Sequence, residues 1–556
     1  MTSDSSTEIR PRMNTDRHGF FKQDLSRLRT RRLLFFSVVI CGYLWLISSC
    51  ASKPTDVRTV VPADALVYLE TNDLGKALQA VTDNDAFRNA AKTQPDLSAL
   101  NGIRMAVAVT GFETKEEKVT DENAVLNFQP RFVAVAETNA WNYQAIAFTE
   151  NKLGEFINEI YGGEIELESS PKYDGRYFVW TAQDGRKAYA LVIGSLIFFG
   201  NDESAIEKCI AVRKGEAEPI SKNAKLPPPD LLASGYVAPD GVGQLANIAT
   251  LQLAIGAGEE EEVRGFIARV LPEILRKFIT EVTWTAKKSE KGIEDSYTFA
   301  TKPEVGKVLS ETIRRSGNPA KPAIEFIPDD VVSATRYDLD NPQIAWRSVL
   351  LTAQSQADGL SGGIIGAFSG SLFEAYGIEQ PEQFLGAIEG NIVTLRFDVE
   401  GDNVVAVVTA KDIEKLKRSM AKEIKFSSSA EKIEGADVWR SADGELAFAV
   451  LGNRVLSGDA ESVLKCLQAA VGGQNIDFRE RFAAASNLPA PAVTVAIDAD
   501  PTAEIVSVLA ARKDETTPVV QRFQISTSFT VNSIQRVEVS DFGLIGSVVE
   551  QFAKNQ

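Results

Sequence analysis

The sequence predicts an α+β fold made of two tandem homologous repeats, each with mainly antiparallel sheets packed against helices. Grouped runs of alternating apolar and polar residues, typical of half-buried strands, are separated by helical stretches. Asp-Gly and Lys-Gly pairs between neighbouring runs indicate tight hairpins: Asp184-Gly185, Lys291-Gly292 and Asp443-Gly444. Similar motifs then recur in the same order in both halves, which indicates an internal duplication.

The length of 556 residues is too great for one hydrophobic core. We expect the first repeat at 60–316, with a subdomain boundary near the proline-rich stretch 225–230. We expect the second repeat at 324–554, with the corresponding boundary near 487–491. The segment Ser316–Pro322, rich in Gly, Pro and Asn, is the predicted linker.

Each repeat opens with a short motif, a strand and a helix. In the first repeat, Pro62-Ala63-Asp64 precedes the strand-like ALVYLET, and an apolar period predicts one helix from Asp73 to Ala91. In the second, Pro328-Asp329-Asp330 precedes VVSATRYD and a helix from Pro342, for which Asn341 is the predicted N-cap.

Further matches lie deeper in each repeat. The stretch 188–209 is similar to 447–466, and three pairs of residues fall at equivalent places: Asp202 and Asp459, Lys208 and Lys465, Cys209 and Cys466. We interpret the two cysteines as small buried residues on apolar helix faces. The alternatives are a disulfide between the repeats and a catalytic thiolate, which would lack a histidine partner.

The apolar stretch Leu33–Cys50 follows a run of arginines and ends in Ile47-Ser48-Ser49-Cys50, which resembles a bacterial lipobox. In one interpretation it is a lipoprotein signal, cut before Cys50, whose thiol is then lipidated. In the other it is an uncleaved single-pass anchor with residues 1–32 as a cytoplasmic tail. Both place the following body outside the cytoplasm at the cell envelope. If the chain is cleaved, Ala51 after the cysteine suggests sorting to an outer membrane by resemblance to lipoproteins of diderm bacteria.

The openings carry a second resemblance. Pro62-Ala63-Asp64 with Tyr68, and more loosely Pro328-Asp329-Asp330, resemble a family of bacterial envelope proteins known only as a domain of unknown function, which begin Pro-Ala-Asp-x-x-x-Tyr. This resemblance implies a fold context and an envelope location, and it implies no activity.

Composition excludes several chemistries. His18, before the apolar stretch, is the one histidine of the chain, so histidine-dependent nucleophile systems and nearly all zinc or iron sites are excluded from the body. The net charge is −17, and the residues before Cys50 are net basic, so the body is more acidic still. Such a body is repelled by nucleic acid. We predict no cofactor and no bound metal.

Two segments are candidate binding elements. An amphipathic helix is predicted from Glu259 to Ile279, kinked at Pro272. A glycine-rich stretch, 359–370, is predicted as a mobile or closely packed connection. Core packing explains both segments, and a ligand or partner surface is the alternative. The residues of that surface are Phe266, Val270, Ile274, Gly362 and Gly366.

Three functions follow from these features. The first is a non-enzymatic envelope scaffold that binds another protein. The second is a carrier or chaperone for a hydrophobic ligand or lipid, with the predicted helix or glycine-rich segment as its cover. The third is a carboxylate-based hydrolase, which needs two close acids in one cleft.

Overall fold

The computed structural model describes residues 55–118, 124–162, 165–223, 225–228, 230–256, 270–315, 323–356, 365–366, 369–398, 401–472, 479, 482, 491–499, 503–513 and 521–554. The tail 1–32, the apolar stretch Leu33–Cys50 and the linker Ser316–Pro322 lie outside these ranges. Below, the first half means residues 55–315 and the second half residues 323–554.

Within the described ranges, each half contains ten strands. Those of the first half are β1 (Val67–Thr71), β2 (Arg104–Lys118), β3 (Ala124–Glu137), β4 (Ile165–Lys172), β5 (Gly175–Ala182), β6 (Lys187–Ile193), β7 (Leu196–Gly200), β8 (Ala233–Val237), β9 (Ile279–Ser289) and β10 (Gly292–Thr301). Those of the second half are β11 (Ser333–Asp338), β12 (Ile388–Arg396), β13 (Val404–Ala410), β14 (Glu431–Ile433), β15 (Ala436–Arg440), β16 (Leu446–Leu451), β17 (Arg454–Asp459), β18 (Val493–Ala499), β19 (Gln521–Phe529) and β20 (Ser533–Ser540).

Helices lie between groups of strands. In the first half they are α1 (Leu74–Thr82), α2 (Asp85–Ala90), α3 (Asn142–Phe148), α4 (Gly154–Tyr161), α5 (Glu203–Lys214), α6 (Pro239–Gly256), α7 (Leu271–Phe278) and α8 (Pro303–Thr312). In the second half they are α9 (Pro342–Gln356), α10 (Pro381–Leu385), α11 (Ile413–Ser419), α12 (Ala460–Gly472), α13 (Ala503–Leu509) and α14 (Gly543–Lys554). A π-helical turn, Thr149–Leu153, joins α3 to α4.

The strands form one antiparallel sheet. In the first half the order across the sheet is β4-β5-β6-β7-β3-β2-β1-β8-β9-β10. In the second half it is β14-β15-β16-β17-β13-β12-β11-β18-β19-β20. The α+β class with antiparallel strands is therefore confirmed. The three predicted hairpin turns are also confirmed, since Gly185, Gly292 and Gly444 have positive φ and lie between paired strands.

The two halves meet through β10 and β20. These strands pair antiparallel from Ile293 opposite Ser540 to Ala300 opposite Ser533. The sheet is thus continuous across the two halves, with β4 and β14 at its ends.

Near each end, the sheet has apolar side chains on both faces. Neighbouring residues of a strand point to opposite sides, and here both neighbours are apolar. Tyr177 of β5 packs with α5 in one cluster, and the next residue, Phe178, packs with α3 and α4 in another. In the second half, Leu456 packs with α12, and Val455 packs on the opposite face near Leu416 of α11. Helices therefore cover both faces of these outer strands.

The last helix of each half packs against the opposite half. Leu309 of α8 lies in a buried cluster with Leu339 and Ala345 of the second half. Ile545 of α14 lies in a buried cluster with Val81 of the first half. The contact between the halves is therefore made by the sheet and by an exchange of helices.

Two predicted helices differ from the observed ones. The single helix predicted over Asp73–Ala91 is two helices, because Asn84 ends one and begins the next. Its Nδ2 donates to the Val81 carbonyl at 2.8 Å, and its Oδ1 accepts from the Phe87 amide at 2.9 Å. The helix predicted over Glu259–Ile279 ends at Phe278, where β9 begins. Pro272 lies in the first turn of α7, where its missing N–H costs no hydrogen bond, and does not kink a described helix. Residues 257–269 lie outside the described ranges.

The predicted cap of α9 is confirmed. The Asn341 Oδ1 accepts from the Ile344 amide at 3.1 Å, and Pro342 is the first helical residue.

A substitution at Gly543, the first residue of α14, tests the packing between the halves. Its φ is +62°, and a Cβ there would lie 2.6 Å from Ile293 Cγ2 and 2.8 Å from Asp295 Oδ2. We expect Gly543→Ala to lower the free energy of unfolding by about 3 kcal/mol, from the left-handed backbone and the clash together. Chemical denaturation measures this value.

Gly162→Ala is the matched control. Gly162 has a φ of +69°, and nothing lies within 4 Å of its Cβ position, so only the backbone cost of about 1 kcal/mol applies. Equal losses of stability in the two variants would contradict the packing assigned to Gly543.

Candidate functional site

Asp295 is a buried carboxylate at the contact between the halves. It lies on β10, and its Oδ1 accepts from the Trp284 indole nitrogen at 2.7 Å. Its Oδ2 accepts from the Leu544 amide at 2.9 Å, at the N-terminus of α14 in the other half. Burial raises the pKa of Asp295 to about 6, although both hydrogen bonds favour the charged form. A raised carboxylate pKa is a common sign of an active site, but here both oxygens hold structural partners.

Glu70 is a second buried carboxylate, on β1. Its oxygens accept from the Tyr68 hydroxyl at 2.7 Å, the Ser234 hydroxyl at 2.9 Å and Arg58 Nε at 2.8 Å. Arg58 also donates to the Pro227 carbonyl at 2.7 Å, and the hydrogen bond with Glu70 raises the pKa of Arg58. This network holds Arg58, near the first described residue, against strand β1.

The structure brings together motifs that the sequence placed far apart. Asp64 of the opening motif pairs with Lys208 at 2.8 Å, and Asp330 pairs with Lys465 at 2.9 Å. In both halves the aspartate of the opening therefore meets the lysine beside the matched cysteine. These pairs are partly exposed, so each contributes little to the free energy of folding. They matter because the same contact occurs in both halves.

Cys209 and Cys466 are buried and free, as the interpretation of small buried residues predicts. Burial raises the pKa of Cys209 to about 12 and also raises the pKa of Cys466. A thiol with such a pKa is almost wholly protonated at neutral pH, and the thiolate is the nucleophilic form. The two cysteines lie in separate apolar clusters, one in each half.

The candidate binding surface proves to lie at the contact between the halves. Val270 and Ile274 of the first half are buried with Ala353 and Ile365 of the second. Gly366 is adjacent, since a Cβ there would lie 3.3 Å from Gln354 Nε2. Phe266 and Gly362 lie outside the described residues, as does Cys50. Where they are described, these sequence-predicted residues thus come together, and Val270 and Ile274 face the protein interior.

A hydrogen bond from Lys277 joins α7 to α9 at the same place. Lys277 of α7 donates to Glu273 at 2.7 Å and to the carbonyl of Gln356 at the end of α9. One face of α9 is therefore occupied by the first half.

The outer face of α9 carries an apolar surface that the sequence analysis missed. Ile344 is 52% exposed and Leu351 is 59% exposed, and a spacing of seven places them on one face of the helix. We call Ile344 and Leu351 the α9 surface. The seven-residue spacing was the available signal, but periodicity alone does not tell an exposed face from a buried one.

A charged side chain lies between the two residues of this surface. Arg347, one turn from both Ile344 and Leu351, forms an ion pair with Glu382 of α10. Apolar anchors beside a polar rim are typical of surfaces that bind proteins.

Within the described ranges, each helix falls short of the length and apolar character needed to cross a membrane. The same ranges hold no group of three His, Cys, Asp or Glu side chains arranged for a metal ion. No family model, no curated protein and no solved structure matches the chain.

The raised pKa of Asp295 predicts a pH dependence of stability. Because this pKa of about 6 lies above the ordinary value near ~3.9, the folded state binds the proton more tightly than the unfolded state. Protonated Asp295 therefore makes its full contribution to the free energy of unfolding below about pH 4. This contribution is lost as the pH rises through about 6. Between pH 4 and 7 we expect the unfolding free energy of the wild type to fall by about 2 kcal/mol relative to Asp295→Asn.

Denaturant unfolding at a series of pH values measures this difference. The exposed Glu374→Gln is the control, and its pH profile should follow the wild type. The raised pKa of Asp295 is contradicted if the unfolding free energy of Asp295→Asn changes with pH as steeply as that of the wild type.

Proposed function

We propose that this chain is a membrane-anchored, extracytoplasmic scaffold of the bacterial cell envelope that binds another protein through the α9 surface. Exposed large aliphatic side chains grouped on one face mark interaction sites in soluble proteins. The observation that carries the proposal is Ile344, at the third position of α9, exposed beside Leu351 on the outer face.

A comparison between the halves strengthens this argument. Helix α1 follows β1 as α9 follows β11, and the two helices have equivalent caps. Asp73 accepts from the Lys76 amide at 3.0 Å, as Asn341 accepts from the Ile344 amide at 3.1 Å. The first half thus has an exposed lysine where the second half has an exposed isoleucine. Because the fold accepts a charge at this position, packing does not require the isoleucine there.

The tandem-repeat organisation is part of the proposal. It is supported by the equal strand order of the halves, by the paired Asp64–Lys208 and Asp330–Lys465 contacts, and by the matched buried cysteines. In this proposal the two repeats carry different surfaces on one architecture.

The buried titratable groups are consistent with a binding role. Asp295 fixes Trp284 and α14, Glu70 fixes Arg58 and Tyr68, and the cysteine thiols are held protonated. Each of these groups has a structural use.

A carrier of a hydrophobic ligand is the second candidate. The apolar cluster of Val270, Ile274, Ala353 and Ile365 favours it, because this cluster contains residues of both segments predicted as covers. The exposed α9 surface favours the scaffold. Native mass spectrometry of the membrane-extracted chain distinguishes them, since a carrier retains a reproducible additional mass in the lipid range.

Photocrosslinking in cells tests the scaffold. We expect a photoreactive residue at position 351 to give a discrete protein adduct, and the same residue at position 76, which matches position 344 in the first half, to give none. Ile344→Lys places the charge of the first half on the α9 surface and should reduce the adduct from position 351 at least tenfold, the effect of losing about 1.4 kcal/mol of binding. An adduct of equal yield from both positions, or one unchanged in Ile344→Lys, would exclude the α9 surface as the site.

The anchor is tested at Cys50. We expect the mature chain to begin at a lipidated Cys50, because the lipobox-like ending places the cysteine after small residues. Cys50→Ser should then keep residues 1–49 and lose the lipid mass. Intact-mass analysis of both proteins from membranes measures this, and a wild-type chain that retains residues 1–49 would identify the uncleaved anchor instead.

A further inference from the structure

A pair of exposed aromatic side chains lies at the start of α3. Trp141 is 52% exposed and Tyr143 is 63% exposed, although both rings are large and α3 otherwise packs on the sheet. Trp and Tyr combine an apolar ring with a polar N–H or O–H, and they concentrate where hydrocarbon meets water.

The segment that carries this pair is uncharged. The segment 138–149, with sequence TNAWNYQAIAFT, has no charged residue in a chain that is 24% charged. Asn142 Oδ1 accepts from the Gly194 amide at 3.1 Å, and Asn139 Nδ2 donates to the Gly102 carbonyl at 3.0 Å. The two loops reached by these bonds, 97–103 and 193–196, also contain no charged residue. The Asp73 carboxylate, which accepts from the Gly102 amide and pairs with Lys76, lies at the border of the first loop. We call this surface, formed by 97–103, 138–143 and 193–196, the neutral surface.

The neutral surface lies beside the point where the chain arrives from the apolar stretch. The Thr55 amide donates to Glu137 Oε2 at 3.1 Å, and the Asn139 amide donates to Oε1 of the same side chain at 3.0 Å. One buried carboxylate therefore holds both the first described residue and the segment that leads to Trp141. Thr55 follows Cys50 by five residues, a length that reaches at most about 18 Å.

The corresponding place in the second half has a different chemistry. Strand β13 lies between β12 and β17 as β3 lies between β2 and β7, and α11 follows β13 as α3 follows β3. The start of α11 carries Lys411, Asp412, Glu414 and Lys415. Glu414, the second residue of its helix, matches Tyr143, the second residue of α3. The exposed aromatics are therefore particular to the half that is joined to the apolar stretch.

From these observations we infer that the neutral surface rests on the lipid bilayer, with Trp141 and Tyr143 inserted at the headgroup level. An acidic body is repelled by anionic headgroups, so an uncharged surface is the part that can approach them. The short connection to Cys50 keeps this surface within reach of the bilayer, and insertion of the two rings fixes the orientation of the body. The inference rests on the proposed anchor.

Lipid quenching of a fluorophore on the full chain tests the inference. A Tyr143→Cys variant in a Cys41→Ser background is labelled with an environment-sensitive dye, since Cys209 and Cys466 are buried. The protein is reconstituted into vesicles of phosphatidylcholine and phosphatidylethanolamine that contain a phospholipid spin-labelled near its headgroup. We expect the fluorescence at position 143 to fall about twofold or more, because the dye lies within the interface.

Glu414→Cys, labelled in the same way, is the matched control and should be little affected by the spin-labelled lipid. Asn139→Cys reports on the same surface with both aromatics present, and adding Trp141→Ser and Tyr143→Ser should remove its quenching. Unreactive Cys209 and Cys466 thiols show that each variant is folded.

Flotation with the vesicles separates the inference from the anchor. A chain that floats, with position 143 no more quenched than position 414, overturns the membrane-resting surface and leaves the anchor intact. A chain that does not float overturns the anchor and the inference together.

Discussion

The antiparallel pairing of β10 with β20 is the constraint on which the rest of the architecture depends. In each half these strands are the last of the sheet order, so a separated half would expose a long row of unpaired backbone groups. Joining them makes both strands internal and leaves β4 and β14 as the ends. Those ends are poor templates for further pairing: β14 has three residues, and β4 contains Glu166, Glu168 and Pro171. The pairing also sets the positions from which α8 and α14 reach the opposite halves.

Asp295 shows how the sheet and the exchanged helices are coupled. Burying a carboxylate is unfavourable, and its raised pKa records that cost. The Trp284 indole and the N-terminus of α14 offset part of it, since helix N-termini favour negative charge. Gly543 permits the close approach because a side chain there would meet Ile293 and Asp295. A single group therefore links the register of the strands to the placement of the last helix.

Local features of the fold could be predicted from the sequence because they depend on nearby residues. The hairpin turns follow from glycines at positive φ, and the cap of α9 follows from Asn341 before Pro342. The break at Asn84 had a local signal too, an N-cap residue followed by Asp85, but the apolar period continues through it to Phe87 and suggested one helix. By contrast, the β10–β20 pairing joins residues far apart in the chain, and an alternating strand pattern does not specify its partner. The surroundings of the candidate site could not be predicted for the same reason: the period that identified Val270 and Ile274 predicts that a face is covered, but not that α9 covers it.

The differences between the halves are more informative about function than their likeness. Equivalent positions that pack in the core have similar residues, as with the two buried cysteines, because packing constrains both halves equally. Equivalent positions on the surface have no such constraint, so an exposed apolar residue that appears in only one half is not required by the packing of the fold. Lys76 against Ile344 and Glu414 against Tyr143 are two such contrasts, and the apolar member belongs to the second half in one and to the first half in the other. Two apolar surfaces on different halves suit a protein that rests on a membrane through one half and presents the other half to a partner.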